Sequence, residues 1–270
     1  MQELIASEAR HNIVIEVGGV PVRVHTSDRD FVKLLEKRYA GFVTRPERAE
    51  FDFEIDLAAT GSDPEADVTV KRDARGWTFQ RGDFRAEWDP AARRGRIQQT
   101  PNPYSMDSVL RIVHTLVLAG QGGFLVHAAS AVCNGKAFLF AGVSGAGKTT
   151  ISRLAPPDAA VLTDEISYVR REGEAYRAYG TPFAGELARV GENVSAPLAT
   201  FFLLAQGPEN KIEPVDQAEA GRALLTNILF FADDAQTVIP VFESACDFVA
   251  RVPVKRLTFV PDARVWEMIG

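Results

Sequence analysis

Of the 270 residues only two are cysteine. Cys133 and Cys246 lie far apart and match no metal-ligand spacing, which excludes a disulfide framework and a zinc ribbon. The expectation is two reduced, buried thiols in a cytoplasmic protein. Long apolar runs are missing too. A stretch such as 228–232 is far below the roughly 20 residues that a membrane-spanning helix needs, so no membrane partner is expected. Residues 1–10 carry Glu3 and Glu8 and no apolar core segment, so they do not read as a signal peptide. A basic surplus is also lacking: 30 Lys and Arg stand against 36 Asp and Glu, with a net charge of −6. That balance argues against a reader of nucleic-acid backbones. It leaves nucleotide binding open, because backbone N–H groups and one lysine suffice locally. The chain shows no internal repeat and no low-complexity tract.

What is present divides at Thr100-Pro101-Asn102-Pro103, the clearest punctuation in the chain. Residues 1–104 read as a β-rich N-terminal module. Strands at 12–17 and 20–26 flank Gly18-Gly19, a two-residue hairpin signal. Ser27 with Asp30 is expected to open a helix whose apolar positions are Phe31, Leu34, Leu35 and Tyr39. Alternation at 51–57 and short strands at 68–71, 77–81, 84–88 and 94–98 suggest an antiparallel meander without chemistry of its own. Residues 105–270 form the second domain. It should open with a helix capped by Ser105 or Asp107 and running to about Ala119. β-type runs at 124–132 and 136–141 then meet at Asn134-Gly135. Strands at 160–162, 167–170, 200–204 and 257–260 alternate with helical stretches near 215–232 and 240–250.

The chemistry is concentrated in Gly142-Val143-Ser144-Gly145-Ala146-Gly147-Lys148-Thr149, which matches G-x-x-x-x-G-K-[ST] in full. The strand 137–141 precedes it and a helix-compatible segment, 150–154, follows. Glycines allow such a loop to curl until its N–H groups point inward at phosphate oxygens. The following helix adds its positive end. Lys148 is expected on the β- and γ-phosphates of ATP, the Thr149 hydroxyl on Mg²⁺, and Thr150 among the cofactor-binding positions.

Residues 161–165 form a short apolar strand that ends in Asp164-Glu165. A strand-end carboxylate beside a phosphate loop can hold Mg²⁺ or its waters, which makes Asp164 a second metal ligand with Thr149. The neighbouring acid can accept a proton from an attacking hydroxyl. Strand alternation would send the two side chains to opposite faces, so a turn must begin here if both serve one site. His127, between Val126 and Ala128 in the strand before the loop hairpin, is either a satisfied core residue or a third member of the site. His114 and His25 read as structural.

Leu125-Val126-His127-Ala128, the Asn134-Gly135 turn, residues 142–149 and Asp164-Glu165 together resemble the catalytic domain of HPr kinase/phosphorylase. They are more closely similar to the shorter bacterial HPr-kinase-like proteins, as are Tyr179-Gly180-Thr181-Pro182-Phe183 and the closing stretch 251–266. The resemblance is good over roughly 120–205. It implies an α/β fold whose P-loop core is of the HPr kinase and phosphoenolpyruvate carboxykinase type, preceded here by the small β-rich module. It implies catalytic roles for His127, Lys148, Asp164 and Glu165, with Glu165 as the proton acceptor. HPr kinase is hexameric, which makes a homo-oligomer an expectation as well.

The departures from that pattern are specific. Ala128 stands where the family has glycine, and Glu165 where it has a second aspartate. Glu186 is the nearest stand-in for the family's metal-binding glutamate, and no arginine-bearing loop for phosphorolysis is visible. HPr itself and the reverse reaction are therefore not expected. The leading reading is an ATP- and Mg²⁺-dependent kinase acting on a hydroxyl of a protein, peptide or small molecule. The alternative is an ATP-binding regulatory or scaffold protein of the same fold that transfers nothing. Carboxykinase chemistry lacks an arginine–lysine constellation for a dicarboxylate, and a GTPase switch lacks its guanine-reading segments.

Overall fold

A computed structural model describes residues 10–58, 63, 66–187, 190–232 and 234–269. It is a mixed α/β structure with two large sheets and few helices. The chain forms two compact units, Met1–Leu110 and Arg111–Gly270, and the division falls inside a helix.

In the first unit β1 (His11–Val17) and β2 (Val20–Thr26) form a hairpin, and both turn glycines have positive φ. Helix α1 (Arg29–Arg38) is capped by Asp28, whose carboxylate accepts from the Phe31 N–H at 2.8 Å. Ser27 was the expected opener. A carboxylate at Asp28 is the stronger acceptor for the helix's first free amides, and the Thr26 hydroxyl fixes Asp28 by accepting its N–H. Leu34, expected on the apolar face, is exposed, and Val32 is buried in its place.

The sheet continues through β3 (Val43–Thr44), β4 (Phe51–Leu57), β5 (Thr69–Asp73), β6 (Gly76–Arg81), β7 (Phe84–Asp89) and β8 (Arg94–Gln99). Its order is β3-β1-β2-β4-β8-β7-β6-β5. Only β5 to β8 form the expected antiparallel meander, because β4 pairs in parallel with both β2 and β8. Trp88 anchors the core edge-on to Phe51 at 5.1 Å between ring centres, with Phe53 and Phe79 beside it.

Helix α2 (Pro103–Ala119) starts earlier than a Ser105 or Asp107 cap would place it. Pro103 lacks an N–H that the first helical turn would leave unbonded anyway, and the Asn102 side chain accepts from the Tyr104 N–H at 3.0 Å. Ser105 instead donates to Asp83 at 2.6 Å, and Asp107 receives the Tyr39 hydroxyl at 2.7 Å and pairs with Arg38.

The second unit contains β9 (Gly123–Cys133), β10 (Lys136–Ala141), α3 (Lys148–Arg153), β11 (Ala160–Thr163), β12 (Ile166–Glu172), β13 (Ala175–Tyr179), β14 (Ser195–Gln206), β15 (Lys211–Pro214), α4 (Gln217–Asn227), α5 (Ala235–Arg251), β16 (Val254–Phe259) and α6 (Val265–Ile269). The Asn134-Gly135 turn has positive φ at both residues, as a two-residue hairpin requires. The long strands β9 and β14 each serve several neighbours. β9 pairs with β12 through its first half and with β10 and β11 through its second. β14 passes from β13 to β10 and β16, and its parallel pairing with β10 closes the path on itself.

Alternation along β10 divides the core. Ala137, Leu139 and Ala141 face a cluster with Leu224, Ala245 and Phe248 of α4 and α5. Phe138 and Phe140 face Ile151, Val265 and Trp266 of α3 and α6. At roughly 25 cal/mol per Å² of apolar surface removed from water, this two-sided burial fixes β10, and with it the start of the loop that follows.

The helical stretch expected near 215–232 ends at Asn227, because Ile228 turns out to bridge Val126 of β9. The next helix begins at Ala235, before Pro240 rather than at it. Cys133 is buried as expected, whereas Cys246 is exposed on α5.

Candidate functional site

A cavity of about 740 Å³ opens in the second unit. Gly142, Val143, Ser144, Gly145, Gly147, Lys148, Thr149 and Thr150 line one side of it, and His127, Asp164, Glu165 and Glu186 also face it. Every site residue expected from the sequence lines this space except Ala146. That side chain is buried instead, in the cluster with Phe140 and Leu204, and pins the loop to the core.

The loop runs from the C-terminal end of β10 into α3, a helix of six residues. Gly145 and Gly147 take φ of +78° and +112°, conformations that side-chain-bearing residues avoid. The Ala146 N–H donates to the Val143 carbonyl at 3.0 Å, closing a tight turn. The Lys148 ammonium donates to the Gly142 carbonyl at 2.8 Å, folding the side chain back across the loop. The Gln206 amide, at the end of β14, donates to the Gly145 carbonyl at 2.7 Å. Sequence reasoning missed Gln206; its only signal is its position at the end of the strand parallel to β10.

Asp164 and Glu165 are the two residues between β11 and β12, so the turn needed to bring both to one site is present. The Thr163 hydroxyl makes that turn by accepting from the Glu165 and Ile166 N–H groups, each at 3.2 Å. Asp164 is buried, and its two oxygens accept from the Gly185 N–H at 2.9 Å and the Leu187 N–H at 2.8 Å. Its carboxylate therefore holds the segment that carries Glu186. Glu186 in turn accepts from the Thr149 hydroxyl at 3.0 Å. The stand-in glutamate thus sits beside the Thr149 oxygen expected to serve the metal, although the irregular segment around it carries no motif.

His127 is the exposed member of an otherwise buried stretch of β9, opposite Ile166 of β12. Partial burial holds its pKa below the ordinary histidine value, reinforced by the charges of Lys148 and Arg111. That shift favours the neutral ring. Lys148 is also shifted below the usual lysine range by burial, against the opposing pull of Glu165 and Glu186.

Arg111 of α2 is a further member that sequence reasoning missed. One of its terminal nitrogens lies 4.0 Å from Glu165, and its guanidinium sits 5.1 Å from the centre of the Phe183 ring. The signal was there: no other charged residue occurs between Asp107 and Lys136. His114 stays outside the site, fully buried against Tyr168. His25 bonds Asp52 at 3.2 Å across β2 and β4.

A family model described as SynChlorMet cassette protein ScmC matches residues 97–270, well over half of the chain. The chain belongs to the ScmC family. That match takes in all residues of the cavity. No curated protein matches this ScmC-family chain. Among solved structures, the Hpr(Ser) kinase/phosphatase from Coxiella burnetii aligns at 14% identity over 44% of this chain and 93% of that one. The TM-score is 0.25, a likeness too loose to build on.

The donors around the cavity suit a triphosphate with a hard cation. Oxygen ligands of the Thr149 and Glu186 type are those Mg²⁺ prefers. Among the described residues no group of three or more His, Cys, Asp or Glu forms a self-sufficient metal cage.

Proposed function

We propose that this ScmC-family protein is an ATP-dependent phosphotransferase with a P-loop core, acting on a hydroxyl acceptor. The observation that carries the reading is the shared cavity: a complete G-x-x-x-x-G-K-[ST] loop faces a histidine and three carboxylates across about 740 Å³. Bound ATP supplies the γ-phosphoryl group, and Mg²⁺ offsets its developing charge.

The chain's own residues do the rest. The loop amides and Lys148 hold the phosphates, which requires Lys148 to leave the Gly142 carbonyl. Thr149 and Glu186 offer oxygens to the cation, while Asp164 fixes the turn bearing Glu186. Glu165 accepts the proton of the attacking hydroxyl, and neutral His127 orients that hydroxyl or relays its proton. Preorganised electrostatics provide most of the catalysis, because phosphoryl transfer asks for little covalent chemistry from the protein.

Calorimetry with Mg·ATP, paired with release of labelled γ-phosphate, tests this reading. Lys148→Ala should lose nucleotide binding. Glu165→Gln should bind ATP like the parent chain and lose turnover. A Glu165→Gln variant with normal turnover removes Glu165 as the base. Tight ATP binding with no turnover by the parent chain, with any acceptor offered, favours the regulatory nucleotide-binding alternative. The two-fold use of Asp164 oxygens by backbone amides gives that alternative its one structural support, since it draws an expected metal ligand into a structural role.

A further inference from the structure

We infer that Arg111 is a positioning residue for Glu165, holding that carboxylate in place on the acceptor side of the cavity; this rests on the phosphotransfer reading. Arg111 comes from α2, away from the loop and from both acidic turns. It is set among Val109, Leu110, Ile112 and Val113, all fully buried, so a cation at this position has no role in filling the core. Its guanidinium packs on Phe183, the buried residue that immediately precedes the cavity-lining Ala184, Gly185 and Glu186. One terminal nitrogen faces Glu165 at 4.0 Å, close enough for strong attraction and too far for a direct hydrogen bond. Its Nε is buried without a hydrogen-bond partner among the described residues. The contact with the Phe183 ring therefore helps to fix where the charge sits.

The consequence concerns what happens when a nucleotide enters. Without one, Glu165 feels two cations, Lys148 and Arg111. A bound triphosphate draws Lys148 to itself and brings negative charge toward Glu165. Arg111, held against Phe183, cannot follow and remains the counter-charge of Glu165. It keeps the carboxylate from being pushed away from the phosphates and out of line with the acceptor. The histidine registers the same charge, since Arg111 is among the causes that depress the His127 pKa.

A double-mutant cycle on the full chain decides the matter, with water as the acceptor, release of γ-labelled phosphate as the rate and calorimetric Mg·ATP affinity as the control. Arg111→Gln is expected to slow release by about tenfold or more, with the ATP Kd within about twofold of the parent. Arg111→Lys, which keeps the charge without the planar stack, should recover part of that loss. In a Glu165→Gln background, Arg111→Gln should cost nothing further. An unchanged rate in Arg111→Gln overturns the inference and leaves the phosphotransfer reading standing. So does an equal loss in both backgrounds, which would mean that Arg111 acts without Glu165. A loss of ATP affinity that Arg111→Lys does not restore would assign Arg111 to structure alone. A parent chain that binds ATP but passes its γ-phosphate neither to water nor to any acceptor in an extract of the source cells overturns the reading and the inference with it.

Discussion

Replacing Gly147 by alanine separates two costs that the loop combines. Gly147 has φ +112°, so any side chain there carries backbone strain of about 1–2 kcal/mol. A Cβ at this position would also lie 2.7 Å from Cζ and 3.0 Å from Cε1 of the Phe259 ring. Phe259 is buried at the end of β16 against the same cluster as Phe140 and Trp266, so the ring has little room to retreat. Overpacking of this kind adds about 1–3 kcal/mol. The sum, about 2–5 kcal/mol, corresponds to a fall in Tm of about 4–20 °C for a unit of this size. Gly145 provides the control within the same loop. Its φ is +78°, but a Cβ there meets nothing within 4 Å. Gly145→Ala should therefore show only the strain, about 1–2 kcal/mol. Thermal unfolding and titration with a fluorescent ATP analogue would compare the two. Phe259→Leu, by making room, should recover part of the Gly147→Ala loss. Equal effects of the two glycine substitutions, or no gain from Phe259→Leu, would refute the packing argument.

Other consequences can be checked alongside. His114 is fully buried with neither ring nitrogen bonded among the described residues, and burial lowers its pKa from 6.5 to about 4. The unfolded chain takes up that proton near pH 6.5 and the folded chain only near 4, so stability present above pH 6.5 is lost as pH falls between the two, by about 3 kcal/mol. His114→Leu should flatten this dependence in denaturant titrations at pH 7 and pH 4.5; an unchanged pH slope would exclude His114 as its source. Asp164→Ala removes two carboxylate–amide bonds and should destabilise by about 2–4 kcal/mol, seen as a lower denaturant midpoint, while weakening Mg·ATP binding through the displaced Glu186. Gln206→Ala frees the Gly145 carbonyl on an exposed surface, so it should lower ATP affinity several-fold in calorimetry with Tm nearly unchanged.

The parts of this structure that were legible in the sequence are those set by local chemistry. The Gly18-Gly19 and Asn134-Gly135 hairpins follow from residues that accept positive φ, and the strands beside them from period-2 alternation. The glycine-rich loop was legible because its strand, turn and helix are contiguous. Pairings between distant segments were not. Nothing local in residues 51–57 announces that β4 will run parallel to two neighbours, or that β10 will meet β14. Helix starts were misplaced where side chains had other partners: Asp107 serves Arg38 and Tyr39 rather than a cap. The helical stretch expected near 240–250 begins earlier, so Pro240 lies inside α5. A proline in the early part of a helix gives up one amide bond, a cost that the buried Val241, Ala245 and Phe248 offset. Of the candidate site, the residues joined by short sequence motifs were found. Glu186 was named only as a stand-in, and Arg111 and Gln206, from α2 and β14, are brought in by tertiary packing alone.

The central claim is transfer of the γ-phosphate to a hydroxyl, and labelling tests it most directly. Purified protein, Mg²⁺ and γ-labelled ATP would be incubated with an extract of the source cells, beside a Lys148→Ala control. The account predicts a labelled protein, peptide or metabolite that forms with the parent chain and not with the control, its label stable to acid as a phosphate ester is. Nucleotide binding confirmed by calorimetry with no labelled product, or the same product from the Lys148→Ala protein, would contradict it.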